Sequence, residues 1–256
     1  MQPLSSFVDN SINIVYNKQM MDNNIFDIHT HILFGVDDGA RDLQMSLSML
    51  QMAYDDGIGA VFLTPHTDKG CFDFEKAKRN ISELIKAAGE QRPKIFTGCE
   101  IMYSPSVCES LKKGKLPTLA GSRYVLCEFA PAQTAKEIKD AVGNLCRSGF
   151  YPILAHVDRY SALKKAHIAE LVESGAFIQL SSRSVTGVNG IAKRMFCDSL
   201  LKKSLVHFIA SDAHSTNHRK PELSKAYEYV SKKFGADYAA EIFYKNPSQI
   251  INNTLI

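Results

Sequence analysis

Five of the eight histidines in this 256-residue chain follow short apolar runs. His29 and His31 come directly after the run 25–28. His66 follows the run 60–63 through Thr64-Pro65. His156 follows 151–155, and His214 closes Ser211-Asp212-Ala213-His214 after the run 206–210. Carboxylates fall at equivalent places, with Glu100 after the run 94–97 and Asp212 beside His214. Imidazole and carboxylate without thiolate select borderline-to-hard divalent ions: Mn, Fe, Zn or, less readily, Mg. Five histidines with Glu100 and Asp212 are too many ligands for one ion. A carboxylate such as Glu100 can bridge, so two or three ions are expected. Such sites polarise phosphoryl oxygens and supply hydroxide near neutral pH.

Each residue alone has a plainer reading. Two histidines at i and i+2 point to one side of an extended chain, which suits a metal but also arises by accident. His66 after a Thr-Pro turn suits a helix cap. Glu100 suits a surface ion pair, Asp212 an N-cap, and His156 a hydrogen-bonded core position. Asp37-Asp38-Gly39 reads most simply as a turn, because Asp and Gly dominate turns. Glu128 sits inside its strand and reads as structural. Asp27, just before the histidine pair, reads as a residue that orients a ligand rather than one that binds metal. Only convergence at one place lifts these residues above such readings.

The elements between them supply that convergence. Seven apolar, β-branched or aromatic runs read as strands, at 25–28, 60–63, 94–97, 124–129, 151–155, 176–180 and 206–210. Helical spacing separates them. Leu43, Leu47, Leu50 and Ala53 share a face that stops at Gly57, and Phe74, Ala77, Ile81, Leu84 and Ile85 share one that stops near Gly89. Thr134-Ala135-Lys136-Glu137 reads as a capping box ahead of Ile138, Ala141, Val142 and Leu145. Pro105 and Pro247 are expected in first helical turns. Strand–helix alternation implies βαβ units and a parallel sheet, either open or closed. In a closed α/β barrel, function gathers at the C-terminal ends of the strands, which is where the five histidines lie. His167, His207 and His218 are placed in a helix, a strand and a loop. Residues 1–24 are polar, Asn/Ser-rich and weakly periodic, and read as an appended arm.

Composition excludes several classes. Hydrophobic residues make up 45% of the chain and charged residues 22%, enough for a full core. A net charge of +3, from 30 Lys+Arg against 27 Asp+Glu, is too even for a dedicated nucleic-acid binder. No apolar run approaches the roughly 18 residues of a membrane span, and no secretory leader is evident. The six cysteines form no CxxC pair and read as reduced and mostly buried in a cytoplasmic protein. None has an arginine six residues downstream, so a Cys-x5-Arg phosphatase loop is absent. GxSxG and GxxxxGK[ST] motifs are absent too.

The stretches DIHTHIL (27–33), GVDDGA (35–40), TPH (64–66), GCEI (98–101), AHVDRY (155–160) and SDAH (211–214) resemble, in this order, the PHP (polymerase and histidinol phosphatase) superfamily of metal-dependent phosphoesterases. The likeness runs from about residue 25 to 250. In detail it resembles the bacterial tyrosine-protein phosphatases of capsule and exopolysaccharide operons, through HxH, DDG and TPH together. One departure is Asp158, where that branch commonly has Glu.

The resemblance implies a distorted (β/α)7 TIM-like barrel over residues 25–256, in agreement with the seven runs. It assigns one ion to His29, His31, Glu100 and Asp212, a second to Glu100 and His156, and a third to Asp38, His66 and His214. Manganese is the metal that it implies. The expected activity is that of a cytoplasmic metal-dependent protein-tyrosine phosphatase, with Arg159 holding the phosphate and Arg41 and Arg219 as weaker candidates better read as surface residues. The expected substrate is the phosphorylated C-terminal tail of a bacterial tyrosine kinase that controls polysaccharide export. Histidinol-phosphate phosphatase and a silent kinase-binding regulator are the alternatives. The intact ligand set argues against the second.

Overall fold

The computed structural model describes residues 25–67, 72–89 and 92–256, so the arm expected over residues 1–24 lies outside the described residues. Its strands are β1 (Ile25–Thr30), β2 (Ile58–Leu63), β3 (Lys94–Thr97), β4 (Glu100–Met102), β5 (Tyr124–Glu128), β6 (Tyr151–Leu154), β7 (Phe177–Ser181) and β8 (Phe208–Ala210). Pairing is parallel throughout, in the orders β1-β2-β3 and β4-β5-β6-β7-β8.

The run expected over 94–97 forms β3, and after Gly98-Cys99 the chain adds a short strand, β4, that the sequence reading did not separate. β3 pairs with β2, while β4 pairs with β5, so the two are halves of one stave. A bridge between His66 and Glu100 joins the two sheets. The opposite seam closes beyond the strand ends, where Asp212 N–H donates to the His29 carbonyl at 3.0 Å and His31 N–H to the Ala213 carbonyl at 2.8 Å. The result is a closed, distorted barrel of seven staves. β8 starts at Phe208, so His207 precedes the strand instead of lying in it.

Period-2 alternation separates two cores. Phe62, Tyr124, Leu126, Ile153, Phe177, Phe208 and Ala210 fill the barrel. Their neighbours Val61, Leu63, Val125, Cys127, Leu154, Ile178 and Ile209 face the helices outside. The outer helices are α1 (Leu43–Asp55), α2 (Phe74–Ala88), α3 (Val107–Lys112), α4 (Ala135–Arg147), α5 (Lys165–Glu173), α6 (Ser182–Val185), α7 (Ile191–Leu201), α8 (Ser224–Phe234), α9 (Ala236–Ala240) and α10 (Asn246–Asn252).

The helix signals read from the sequence have local causes. Asp42 caps α1 by accepting from Met45 N–H at 2.8 Å. Thr134 and Glu137 form the reciprocal box of α4. Gly57 and Gly89 take the positive φ that follows α1 and α2. Pro247 sits in the first turn of α10 as expected, but Pro105 does not start α3, which begins at Val107 behind Ser106. Among the described residues no helix is long and apolar enough to cross a membrane.

Candidate metal centre

The barrel rim gathers the eight expected ligand residues, and most of them are buried. His29, His31 and Glu100 are wholly inaccessible, and His156 and Asp212 are 1% exposed. Three of the five imidazoles, those of His29, His31 and His214, are turned by a bond on Nδ1. His29 Nδ1 lies 3.2 Å from Gln179 Oε1, His31 Nδ1 lies 2.6 Å from Asp37 Oδ2, and His214 Nδ1 lies 2.9 Å from the Asp212 carbonyl oxygen. That leaves the Nε2 atoms of His29 and His31 facing the cluster. A carboxylate behind a ring nitrogen in this way fixes the tautomer and raises the basicity of the ligand nitrogen.

Glu100 is the centre. Its Oε2 stands 3.0 Å from His29 Nε2, 3.3 Å from His31 Nε2 and 3.1 Å from His66 Nδ1, yet receives no hydrogen bond. Its Oε1 lies 2.8 Å from His156 Nε2. Asp212 Oδ1 is likewise buried without a hydrogen-bond partner, 3.5 Å from the Nε2 atoms of both His29 and His31. A buried polar atom without a partner is strongly disfavoured unless something charged occupies its front. Asp38 Oδ1 lies 3.6 Å from His66 Nε2 and 3.5 Å from His214 Nε2.

Among the described residues, three sets bring single donor atoms within 4.8 Å of one another: His31 with Asp38, His66 and His214; His29 with His31 and Glu100; and His66 with Glu100 and Glu128. The donor set, nitrogen and carboxylate oxygen without sulfur, fits borderline-to-hard divalent ions. Charge makes the same point. Burial favours a neutral Glu100, but the surrounding His29, His156 and His31 hold its carboxyl well below the usual range. Burial opposes charge on His31 too, yet the bond to Asp37 and the negative charge of the neighbouring Glu100 outweigh it and lift its pKa to about 10. Protons on imidazole thus balance the buried carboxylates. Divalent ions can replace those protons, releasing them on binding.

Two of the expected ligand residues adopt left-handed backbone, His156 with φ of 34° and Asp212 with φ of 54°. Non-glycine residues there carry strain of about 1–3 kcal/mol each, and such strain gathers at functional sites. Gly39 closes the Asp37-Asp38-Gly39 turn against β1. A Cβ at that position would collide with the His31 carbonyl oxygen.

Several side chains stand differently from their sequence reading. Glu128 is no mere strand residue. It ends β5 on the interior side with Tyr124 and Leu126, and its Oε1 lies 3.6 Å from His156 Nε2. Asp37 is more than a turn former, since it holds the His31 ring and accepts from His66 N–H at 3.0 Å. Gln179, absent from the expected site, bonds His29 and accepts from His156 N–H at 3.0 Å. Its signal was a lone amide within the apolar run of β7. Asp27 touches no imidazole. It accepts from Ser211 N–H at 3.0 Å and so ties the Asp212 loop to β1, and burial lifts its carboxyl to about 6.

Arg159 lies at the rim with Nη2 on Asp212 Oδ2. Arg219, read as a surface residue, pairs with the same oxygen. Arg41 is exposed and stands apart from these carboxylates. Asp158 accepts from Ser181 N–H at 2.9 Å and from the Ser184 hydroxyl at 2.7 Å, which fastens the turn bearing His156 and Arg159 to the end of β7.

Comparison with known proteins agrees with this architecture. The tyrosine-protein phosphatase CpsB of Streptococcus pneumoniae is 34% identical over 243 residues, covering 91% of this chain and all of the relative. The tyrosine-protein phosphatase YwqE of Bacillus subtilis is 30% identical over 83% of this chain and 86% of its own. A crystal structure from the pair YwqE of B. subtilis and CpsB of S. pneumoniae, described as metal-dependent tyrosine phosphatases, matches with a TM-score of 0.82. It is 30% identical, over 91% of this chain and 96% of the other. The family model for capsular polysaccharide synthesis proteins CpsB/CapC matches residues 25–252, and the chain belongs to that family.

Proposed function

We propose that the chain is a metal-dependent protein-tyrosine phosphatase of capsule or exopolysaccharide synthesis, with residues 25–256 as its phosphatase domain and residues 1–24 as an arm. The observation that carries the reading is Glu100 Oε2, buried among three imidazole nitrogens without a hydrogen bond. His29, His31, Glu100 and Asp212 would hold one ion. Glu100 and His156, with Glu128 beside them, would hold a second, and Asp38, His66 and His214 a third. Manganese is the preferred metal. Bound ions supply Lewis acidity toward phosphoryl oxygens and lower the pKa of water.

The chain's own residues supply the rest. Arg159 and Arg219 converge on Asp212 at the edge of the cluster, where guanidinium forks suit a phosphoryl group. The barrel shields His29, His31, Glu100, His156 and Asp212 from water, and the bonds from Gln179 and Asp37 hold the rings of His29 and His31 in place. Cysteine chemistry is disfavoured, because burial pushes the thiols of Cys99, Cys127 and Cys197 up, away from the nucleophilic thiolate. The substrate in this reading is the phosphorylated tail of a membrane-associated tyrosine kinase, met in the cytoplasm.

The test is an assay of phosphotyrosine peptide against histidinol phosphate, with and without manganese. Manganese-dependent hydrolysis of the peptide is expected. Preference for histidinol phosphate, or no turnover of either, would overturn the reading.

A further inference from the structure

The cluster does not end at a closed wall. Asp38 and His214 form the inner end of a groove of about 640 Å³ that runs outward between α1 and the loop after β8. Gln44, Met45 and Ser48 of α1 make one side, and Thr216 and Asn217 make the other. Arg41 lies at the entrance to α1 on the same groove. Sites of about 300–1,000 Å³ take small ligands or a few residues of chain.

The groove is preformed. Ser215 Oγ accepts from the N–H groups of His218 at 3.1 Å and Arg219 at 3.2 Å, and Arg183 donates to the His218 carbonyl. These bonds fix the loop without using the side chains of Thr216 and Asn217. On the other wall, the Asp42 carboxylate is spent on capping α1. Among the described residues, the Arg41 guanidinium has no hydrogen-bond or ion-pair partner. The groove therefore offers one uncommitted cation, two side-chain amides that can pair with main chain, and the apolar flank of Met45.

Resting on the phosphatase reading above, we propose that this groove binds the polypeptide flanking the phosphotyrosine, with Arg41 selecting an acidic residue next to it. Continuity with Asp38 and His214 makes the occupant an extension of the substrate itself. A chain entering there runs its main-chain amides past Gln44 and Asn217 while its phosphate reaches the cluster. Its carboxylate then meets the Arg41 guanidinium. A small aryl phosphate reaches the cluster without using the groove.

The experiment compares wild type with Arg41→Glu on three substrates: p-nitrophenyl phosphate, a phosphotyrosine peptide with glutamate beside the phosphotyrosine, and the same peptide with lysine there. An exposed charge pair changes affinity by up to about fivefold. Wild type should prefer the glutamate peptide by about that factor in kcat/KM, through KM. Arg41→Glu should reverse the preference, with p-nitrophenyl phosphate turnover unchanged. Equal peptide selectivity in the two proteins, with that turnover intact, would overturn the groove assignment alone. Wild type that hydrolyses p-nitrophenyl phosphate but neither peptide would overturn the phosphatase reading and the groove assignment together.

Discussion

Glu100 Oε2 and His29 Nε2 face each other at 3.0 Å, both buried, without a hydrogen bond between them. The same oxygen also faces His31 and His66, while Oε1 faces His156. One carboxylate therefore touches four of the five rim histidines. If it bridges ions, its loss removes more than one. Glu100→Ala should lower metal content by more than one ion per chain, and His214→Ala should lower it mainly by the one beside Asp38. Elemental analysis is the check. Equal metal content in wild type and Glu100→Ala would rule out the bridging role.

Chelation and alkylation separate the mechanisms. Metal removal should abolish phosphatase activity, and manganese should restore it. Thiol reagents should do little to the activity of the native protein, even where the partly exposed Cys108 and Cys146 react. Cys99, Cys127 and Cys197 are buried, and their thiols are held protonated by that burial. Activity that survives thorough chelation but dies on alkylation of folded protein would point to a cysteine nucleophile instead.

The barrel and the gathering of these residues at one rim were legible because strand-end positions are a property of sequence order. His29, His31, His66, His156 and His214 each follow an apolar run, and parallel strands bring such ends to one rim. What was not legible depended on side-chain direction. Glu128 looked structural because it lies inside its run, but its parity with Tyr124 and Leu126 points it into the barrel. Gln179 shares that logic with Phe177. Asp37 was hidden by the ambiguity of Asp in turns, since the same residue can cap a turn or hold an imidazole. Arg219 depended on how the loop after β8 folds back, which periodicity does not encode. The strand Glu100–Met102 was not legible because three residues are too short a pattern to read as an element.

His207 makes stability depend on pH at a place remote from the proposed ligands. Its Nδ1 accepts from Ile178 N–H at 3.1 Å, and burial pushes its pKa down to about 4. The folded state thus binds this proton less readily than the unfolded chain, whose histidine titrates near 6.5. The stabilisation is complete above about pH 6.5 and is lost as pH falls toward 4. Its size is about 3 kcal/mol, from about 1.4 kcal/mol per unit of pKa. Denaturant unfolding of wild type and His207→Gln from pH 7 to 4 isolates it, because titration of the cluster is common to both. The stability gap between them should change by about that amount in favour of the variant. A gap independent of pH would show that His207 does not titrate in this window.

Arg159 is the residue on which the rate is expected to depend most without loss of metal. It follows His156 by three residues in a turn that Asp158 fastens to β7, so its guanidinium is carried to the rim by the same turn as His156. It meets Asp212 through Nη2, which leaves other donors of the fork for a phosphoryl oxygen. Lysine keeps the charge but not the paired geometry. Loss of one donor to developing negative charge costs on the order of 3 kcal/mol, or about a hundredfold in rate. Arg159→Lys should therefore lower kcat for phosphotyrosine by about that factor while metal content stays at the wild-type value. Arg219 reaches the same carboxylate, so Arg159→Ala should keep Asp212 paired and the barrel folded. Wild-type turnover in Arg159→Ala would reduce the residue to a rim ion pair. Loss of metal in that variant would show instead that the arginine acts by holding Asp212 in place.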